Sequence, residues 1–340
     1  MTLSFKNKPS RSIYFFRILF LSLLFILGIF CIDRFIYYWG NNLAISPYWH
    51  SEVCNLVTHA EKIELLIVGG CRAALNFSPE VIEKKVKLKT FNAGKAAPGI
   101  GYMTELTLIS ALSHQKPKYV IIVVDSHNLE ESLERSRNEL VKKTPWLSSL
   151  DEYEKKIFIE KYDLSHFIYN SGLYAFLGKG DELLRSSIRK IIKRKMSIQD
   201  GYDPRDPDRN LDKALNDKSE YQKLVNRTVR KFAPTEFSLE TYTRMIKLVK
   251  SSGAEPILVV APMHYLYSSN EVNAKVRKII FNLSKKESIQ SFIYLDNNSI
   301  IAKKDKFWID TGHLNRFGAE TFSSFFSRDL YEYINHTSFI

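Results

Sequence analysis

A thiol, an imidazole and a carboxylate lie in two short polar motifs far apart in the chain. Cys71 follows Gly69 and Gly70 directly after an apolar run, and Asp310 and His313 lie three residues apart near the C-terminus. A cysteine thiolate attacks acyl carbon atoms, an imidazole serves as its base, and a carboxylate fixes the imidazole tautomer. The two motifs therefore predict nucleophilic acyl transfer, provided that the fold brings them together.

Acyl transfer also needs hydrogen-bond donors for the developing oxyanion. The two glycines before Cys71 permit a tight strand-to-helix turn, so Cys71 is expected to lie at the start of a helix. At that helix end the Cys71 amide can face an oxyanion, and the helix dipole stabilises a thiolate. Gly94 closes the Asn92-Ala93-Gly94 segment after the second apolar run and is the second predicted donor. Asn128, just past the third run, is the third.

Apolar runs that alternate with amphipathic stretches must position these residues. Strands are predicted over residues 63–68, 86–91, 119–124, 256–261 and 292–295. Helices are predicted over residues 102–113, 239–251, 271–285 and 317–334. The third and fourth runs are nearly continuous in Val, Ile and Leu, which is typical of strands buried on both faces of a parallel sheet. Such alternation predicts a doubly wound α/β fold, in which functional groups gather at the carboxyl ends of the strands.

The N-terminal segment predicts a membrane anchor. Residues 18–32 carry no charge and residues 13–16 extend the apolar stretch, which gives about the 20 residues that a membrane span needs. Four basic residues precede its centre, and only Asp33 and Arg34 follow closely, so the N-terminus is expected in the cytoplasm and the main domain outside. A cleaved signal peptide is the alternative, but no small-x-small cleavage site follows the apolar run.

These features divide the chain into three parts. Residues 1–36 are expected to form a cytoplasmic tail and transmembrane anchor, residues 37–59 a juxtamembrane linker, and residues 60–340 the α/β domain. An insertion at about 126–234 is too long for a simple crossover, so it is expected to carry structure of its own. It includes a predicted basic helix over 181–195, which either contacts an anionic membrane or acidic glycan, or packs on the domain with a solvated basic face.

Charge and cysteine content exclude other classes of protein. The 340 residues include 49 Lys and Arg against 37 Asp and Glu, a net charge of +12. No zinc-finger spacing, ribonucleoprotein motif or phosphate-binding loop accompanies this charge, so no nucleic-acid partner is expected. No metal-ligand spacing is present either, and a site without metal or cofactor is expected. The three cysteines make no disulfide framework, although Cys71 could pair with Cys54 in an oxidising compartment.

The order of the motifs resembles that of the SGNH (GDSL-like) hydrolase superfamily. A Gly-x-nucleophile follows the first strand, Asn-x-Gly the second and a polar turn the third, and Asp-x-x-His lies near the C-terminus. The segment 310–315, with Gly318 after it, is the strongest match. The Ile-Val-Gly-Gly-Cys-Arg-Ala stretch is similar to the Gly-Ser-Ser-Arg-Ala of membrane-anchored members linked to cell-surface polysaccharide modification, including relatives of the alginate and teichoic-acid modification proteins. The resemblance covers roughly residues 60–130 and 235–335.

The resemblance implies a flavodoxin-like three-layer sandwich with a parallel sheet, preceded by one transmembrane helix, and ester chemistry on a glycan. Asp310 and His313 match the family's acid and base, whereas Cys71 stands where the family has serine. The Asp125-Ser126-His127-Asn128 turn corresponds loosely to the family's Gly-x-Asn-Asp block. We therefore expect an extracytoplasmic O-acyltransferase or esterase that acts on cell-envelope glycan, with a membrane-bound acyltransferase as a candidate partner. The alternative is a non-catalytic glycan-binding or scaffolding protein of a polysaccharide modification system.

Three further polar residues have two interpretations each. Arg72 either binds an acidic sugar or holds its loop through backbone carbonyls. His264, after the fourth strand, either lines the cleft or is a structural loop residue, and His127 either contacts substrate or lies in a surface turn.

Overall fold

The computed structural model describes residues 11–44, 62–94, 100–134, 171, 173, 211, 232–266, 269–296 and 299–337. The chain divides into two compact units, one of Met1–Ile45 with Val141–Arg189 and the other of Ser46–Leu140 with Lys190–Ile340. The predicted basic helix over 181–195, most of the insertion and Cys54 lie outside the described residues.

The first unit contains one long apolar helix, α1 (Arg11–Ala44). Its 25-residue segment Tyr14–Tyr38 is long and apolar enough to cross a membrane. The helix continues past residue 36, so the start of the predicted linker is helical; no proline occurs between residues 10 and 46 to interrupt it. Within this unit Asp33 accepts hydrogen bonds from the Ser171 hydroxyl at 2.8 Å and from the Leu173 amide at 3.0 Å.

The second unit is built on a five-stranded parallel sheet, which confirms the predicted α/β class. Its strands are β1 (Leu65–Val68), β2 (Thr90–Asn92), β3 (Tyr119–Val123), β4 (Glu255–Val260) and β5 (Gln290–Ile293). They lie side by side in the order β2-β1-β3-β4-β5. The chain thus moves outward in one direction from β1 and in the other from β3, and the carboxyl ends of these two strands flank the point where the direction changes.

The described helices of this unit connect the strands and follow them. They are α2 (Cys71–Asn76), α3 (Pro79–Val86), α4 (Ile100–His114), α5 (Ser126–Leu129), α6 (Glu236–Ser251), α7 (Asn270–Glu287), α8 (Ile300–Lys303) and α9 (Arg316–Thr337). A two-stranded antiparallel ribbon, β6 (Trp308–Asp310) and β7 (His313–Leu314), precedes α9.

The second strand differs from its predicted bounds. Residues 86–91 were expected to be extended, but Val86 is the last residue of α3, where it lies on the buried face of an amphipathic helix. Lys87 then adopts a left-handed conformation with φ of 60° and ends the helix. Because Val, Ile and Leu suit both buried helix faces and strands, the short apolar pattern alone does not separate the two.

The sheet is buried through alternating side chains. Leu66, Val68 and Ile122 belong to one hydrophobic cluster, whereas Leu65 and Ile67 belong to another. All five are fully buried, which accounts for the nearly continuous apolar sequence of the strands. The two clusters hold the sheet rigid, so the loops at the carboxyl ends of β1 and β3 have fixed starting points.

Candidate active site

The chain turns sharply after β1, and this turn places Cys71. Gly69 has a φ of +153°, and a Cβ atom there would lie 2.9 Å from the Cβ atoms of Ala73 and Val123. Only glycine fits this position. Gly69 and Gly70 alone separate the last residue of β1 from the first residue of α2. Cys71 is the first residue of α2, and Gly70 caps the helix without a side-chain hydrogen bond.

A tight turn between β6 and β7 places the carboxylate and the imidazole. Asp310 pairs with His313 across the antiparallel ribbon, and the Gly312 amide donates a hydrogen bond to Asp310 Oδ1 at 2.8 Å. Trp308, at the start of β6, is fully buried and donates its indole N–H to the Ile301 carbonyl at 2.8 Å. The turn is thus attached to the core on one side and bears the acid–base pair on the other.

The structure brings Cys71, His313 and Asp310 into one hydrogen-bonded chain. His313 Nε2 lies 2.9 Å from Cys71 Sγ, and His313 Nδ1 lies 2.9 Å from Asp310 Oδ1 and 3.0 Å from Oδ2. Cys71 is a free thiol. The side chain of His313 is 27 % exposed and that of Asp310 is 53 % exposed, so the site opens to solvent. This geometry suits proton transfer between the thiol and the imidazole, with the carboxylate holding the ring.

The Asp310 carboxylate and the Cys71 side chain raise the pKa of His313. Burial would lower the pKa of His313, but the hydrogen bonds and negative charges of Asp310 and Cys71 outweigh burial and raise it to about 10. Burial would likewise raise the pKa of Asp310, and the hydrogen bonds from His313 and the Gly312 amide instead bring it below its ordinary value. At neutral pH the site therefore favours an imidazolium at His313, with the Asp310 carboxylate on one nitrogen and Cys71 Sγ beside the other.

Of the three predicted oxyanion donors, the Gly94 amide already has an acceptor and Asn128 is buried. The Gly94 amide donates to Asn92 Oδ1 at 2.9 Å. Asn128 is 3 % exposed, and its amide lies beside the buried hydroxyl of Tyr242. The Cys71 amide, the other predicted donor, lies at the first position of α2.

Asn92 is a structural residue that the sequence motif contains but does not explain. Its Nδ2 atom donates to the Ala73 carbonyl at 2.8 Å and to the Phe77 carbonyl at 2.9 Å, while its Oδ1 accepts from Gly94. Asn92 is fully buried and thus ties the carboxyl end of β2 to the helix that carries Cys71. The feature of the sequence that could have indicated this role is the position of Asn92, a polar residue at the end of an apolar run.

Arg72 holds the site together rather than facing substrate. It is 2 % exposed; its Nη1 lies 2.9 Å from Asp125 Oδ1, and its Nε donates to the Gly312 carbonyl at 3.1 Å. The interpretation that Arg72 holds a loop through a backbone carbonyl is confirmed, and that of acidic-sugar binding is wrong because the guanidinium is buried.

His264 is structural, and it does not line the cleft. The imidazole is fully buried, its Nδ1 accepts from the Leu266 amide at 3.3 Å, and its Nε2 lies 2.7 Å from Asp305 Oδ1. Burial lowers the pKa of His264 despite the nearby carboxylate. His127 lies at the start of α5, where its backbone amide donates to Asp125 Oδ1 at 2.9 Å.

Asn76 is a site residue that the sequence did not indicate. It is fully buried at the end of α2, and its Oδ1 accepts a hydrogen bond from the Leu314 amide at 3.1 Å. No motif or periodicity marks it, because its partner lies 238 positions further along the chain.

Comparison with models of known protein families finds none that matches this chain. A search of curated proteins likewise finds no significant match. The geometry of Cys71, His313 and Asp310 is therefore what bears on the function.

Proposed function

We propose that this protein is a Cys-dependent acyl-ester transferase or esterase that acts on cell-envelope glycan, by O-acetyl transfer or removal. The observation that carries the proposal is the 2.9 Å approach of His313 Nε2 to Cys71 Sγ, with Asp310 on the opposite nitrogen. A thiol, a base and an orienting carboxylate in this order are the arrangement that activates a nucleophile for acyl transfer. The glycan ester as substrate is inferred from the resemblance to membrane-anchored SGNH hydrolases.

In the first half-reaction the Cys71 thiolate attacks the carbonyl carbon of an acetyl ester. The carbonyl electron pair moves to oxygen, and the first-turn amides of α2 are placed to stabilise that oxyanion. When the tetrahedral intermediate collapses, the sugar oxygen leaves and takes the proton from His313 Nε2. The acetyl group then remains on Sγ as a thioester, and Asp310 keeps the ring oriented throughout.

The second half-reaction reverses these roles. A water molecule or a sugar hydroxyl gives its proton to His313 Nε2 and attacks the thioester carbon. The C–S bond breaks, the thiolate is restored beside the imidazolium, and the product is acetate or a new acetyl ester. Since the same base serves both steps, the acceptor that reaches Nε2 decides between hydrolysis and transfer.

The wider architecture supports the same assignment. The sheet order is that of flavodoxin-like doubly wound sheets, and we infer a three-layer arrangement with the site at the switch point between β1 and β3. The apolar α1 helix supports a single-pass anchor with its N-terminus in the cytoplasm and the catalytic unit on the periplasmic or outer face. A membrane-bound acyltransferase remains the proposed partner for supplying acyl groups.

One observation favours the alternative, a non-catalytic glycan-binding or scaffolding protein. The Gly94 amide donates to Asn92 and Asn128 is buried, so one oxyanion donor expected from the family pattern is engaged elsewhere and another is inaccessible to solvent. Loss of one such donor costs an active enzyme roughly 100- to 1000-fold in rate. A binding protein would keep affinity for glycan without turnover.

Acetyl-ester turnover by the full-length protein in nanodiscs tests the proposal. With 4-nitrophenyl acetate and an acetylated glycan as probes, we expect turnover and an acetyl thioester on the Cys71 peptide in mass spectrometry. Cys71→Ala and His313→Ala should abolish both signals, whereas Cys31→Ser, which removes the other described free thiol, should leave them unchanged.

Three results would decide against the mechanism. Full turnover in Cys71→Ala would show that another group is the nucleophile. Glycan binding without turnover in the wild type would favour the binding protein, and turnover that appears only in Cys71→Ser would identify a serine enzyme that has lost its nucleophile.

A further inference from the structure

The helix that carries Cys71 contacts the peptide groups on both sides of His313. The Gly312 carbonyl, one residue before His313, accepts a hydrogen bond from Arg72 Nε at 3.1 Å. The Leu314 amide, one residue after it, donates to Asn76 Oδ1 at 3.1 Å. Both contacts are buried, so neither is weakened by competition with water.

Arg72 is itself fixed from a third element. Its guanidinium lies 2.9 Å from the Asp125 carboxylate at the carboxyl end of β3, and both side chains are almost fully buried. Planar guanidinium groups lose little freedom when several contacts are made at once. The direction of Arg72 is thus set by the sheet and transmitted to the Gly312 carbonyl.

Asn76 has no comparable anchor on the sheet, but its helix does. Asn92 donates to the Ala73 and Phe77 carbonyls, which lie on either side of Asn76 in the chain. The position of the Asn76 amide is therefore fixed by the end of β2, just as that of Arg72 is fixed by the end of β3.

We propose that Arg72 and Asn76 are positioning residues that set the distance between Cys71 Sγ and His313 Nε2 by holding the two peptide neighbours of His313. This inference rests on the proposed function, because it assigns a purpose to the short thiol–imidazole distance. The two contacts act on the main chain, so the backbone of His313 cannot move away from α2 without breaking a buried hydrogen bond, while Asp310 holds the ring through Nδ1. A displacement of about 1 Å at such a pair costs on the order of 100-fold in rate.

The pH dependence of Cys71 alkylation reports whether the contact between Cys71 Sγ and His313 Nε2 is intact, and it does not require ester turnover. Iodoacetamide reacts with thiolates, and an ordinary cysteine becomes reactive only near about pH 8.5. In the full-length wild type, peptide-resolved mass spectrometry should show faster alkylation of Cys71 at neutral pH than in His313→Ala, because the imidazole at 2.9 Å can take the thiol proton. The pH profile of alkylation in His313→Ala gives the reference for Cys71 without this contact.

Two variants test the clamp, by which we mean the hydrogen bonds from Arg72 to the Gly312 carbonyl and from the Leu314 amide to Asn76. Arg72→Lys retains a positive charge beside Asp125 but loses the Nε contact with Gly312, and Asn76→Ala removes the acceptor for the Leu314 amide. Each should move the alkylation profile toward that of His313→Ala and slow alkylation at neutral pH by about 10-fold, a fraction of the loss that a full 1 Å displacement causes.

Ser238→Ala is the matched control. It removes a buried hydrogen bond, from the Ser238 hydroxyl to the Leu129 carbonyl at 2.6 Å, without touching α2 or the neighbours of His313. Its melting temperature should fall as in the test variants, while its alkylation profile stays that of the wild type. If Asn76→Ala does not fold, Arg72→Lys gives the comparison.

The outcomes separate the clamp from the proposed function. Wild-type profiles in both Arg72→Lys and Asn76→Ala, with a changed profile in His313→Ala, would overturn the clamp. A shifted profile in these variants, combined with no ester turnover in the wild type, would retain the clamp and reject the acyl-transfer function.

Discussion

The Gly94 amide and the Asn92 side chain are joined by a 2.9 Å hydrogen bond at the carboxyl end of β2. The same asparagine donates to two carbonyls of the α2 segment, so Gly94 and the helix bearing Cys71 are held by one side chain. Gly94 also packs directly on that helix, since a Cβ atom added to it would lie 2.3 Å from the Ala74 nitrogen and 2.6 Å from the Ala73 carbonyl carbon. This loop therefore acts on the site through the position of α2.

Gly94→Ala is expected to displace α2 and with it Cys71. Main-chain atoms cannot give way to a new methyl group as a flexible side chain can, so the helix or the loop must shift. We expect a loss of about 100-fold in acetyl-ester turnover or in Cys71 alkylation at neutral pH. Gly28→Ala is the control, because no atom lies within 4 Å of its added Cβ. Equal rates in the two variants would contradict this view of Gly94.

The sequence predicted the sheet well because buried parallel strands leave a simple pattern. β3 and β4 are runs of Val, Ile and Leu between turn residues, and their observed bounds, Tyr119–Val123 and Glu255–Val260, agree with the prediction to within a residue at each end. The catalytic candidates could likewise be recognised, because Cys71 follows a Gly-Gly turn and Asp310 lies three residues before His313.

The support of the site could not be predicted in the same way. Arg72 and Asn76 contact residues 240 and 238 positions away, and such pairings depend on the tertiary fold and leave no local pattern. The expected role of Gly94 required knowing where the Asn92 side chain points. Whether the Gly94 amide has an acceptor depends on the rotamer of the Asn92 side chain. The spacing of residues in the sequence does not reveal that rotamer.

The elevated pKa of His313 predicts how stability depends on pH. An unfolded histidine has a pKa of about 6.5, whereas folding raises that of His313 to about 10, so the folded state binds the proton more tightly. The resulting stabilisation is fully present below about pH 6.5 and is lost as the pH rises toward 10. The melting temperature of the wild type should therefore exceed that of His313→Gln most at neutral and lower pH, and the difference should shrink in alkaline buffer.

Asp310→Asn and Cys71→Ser serve as controls for the His313 titration. Each changes one of the two groups that raise the pKa of His313, so each should leave a smaller pH-dependent difference from His313→Gln than the wild type shows. A difference that is constant across this range would mean that His313 keeps an ordinary pKa in the folded protein.

His264 predicts the opposite dependence at acidic pH. Burial lowers its pKa below the unfolded value, so the unfolded chain binds the proton more readily. The stability that neutral His264 contributes is present above about pH 6.5 and is lost as the pH falls below that value. His264→Gln should flatten the acid side of the melting-temperature profile. Asp305→Asn removes the carboxylate that opposes the shift, and it should steepen the loss.

The buried pair of Arg72 and Asp125 gives a test of how the site is stabilised. Asp125→Asn keeps an oxygen that can accept from the His127 amide but leaves the Arg72 charge without its counter-ion at a position 2 % exposed. Removing one partner of a buried pair costs about 3–5 kcal/mol of unfolding free energy, because the remaining charge is uncompensated. Denaturant unfolding of the full-length protein should show a loss in this range.

Replacing both Arg72 and Asp125 separates two effects. One is the cost of an uncompensated buried charge, and the other is the loss of the hydrogen bond from Arg72 to the Gly312 carbonyl. In Arg72→Met with Asp125→Leu no charge remains buried, so we expect less destabilisation than in Asp125→Asn alone. The double variant nevertheless lacks the hydrogen bond to the Gly312 carbonyl, and its Cys71 alkylation should stay slow at neutral pH. If the loss of unfolding free energy in the double variant equals the sum of the losses in Arg72→Met alone and Asp125→Leu alone, Arg72 and Asp125 act independently. A double variant with recovered stability but impaired alkylation would show that Arg72 serves the geometry of the site beyond any contribution to the stability of the fold.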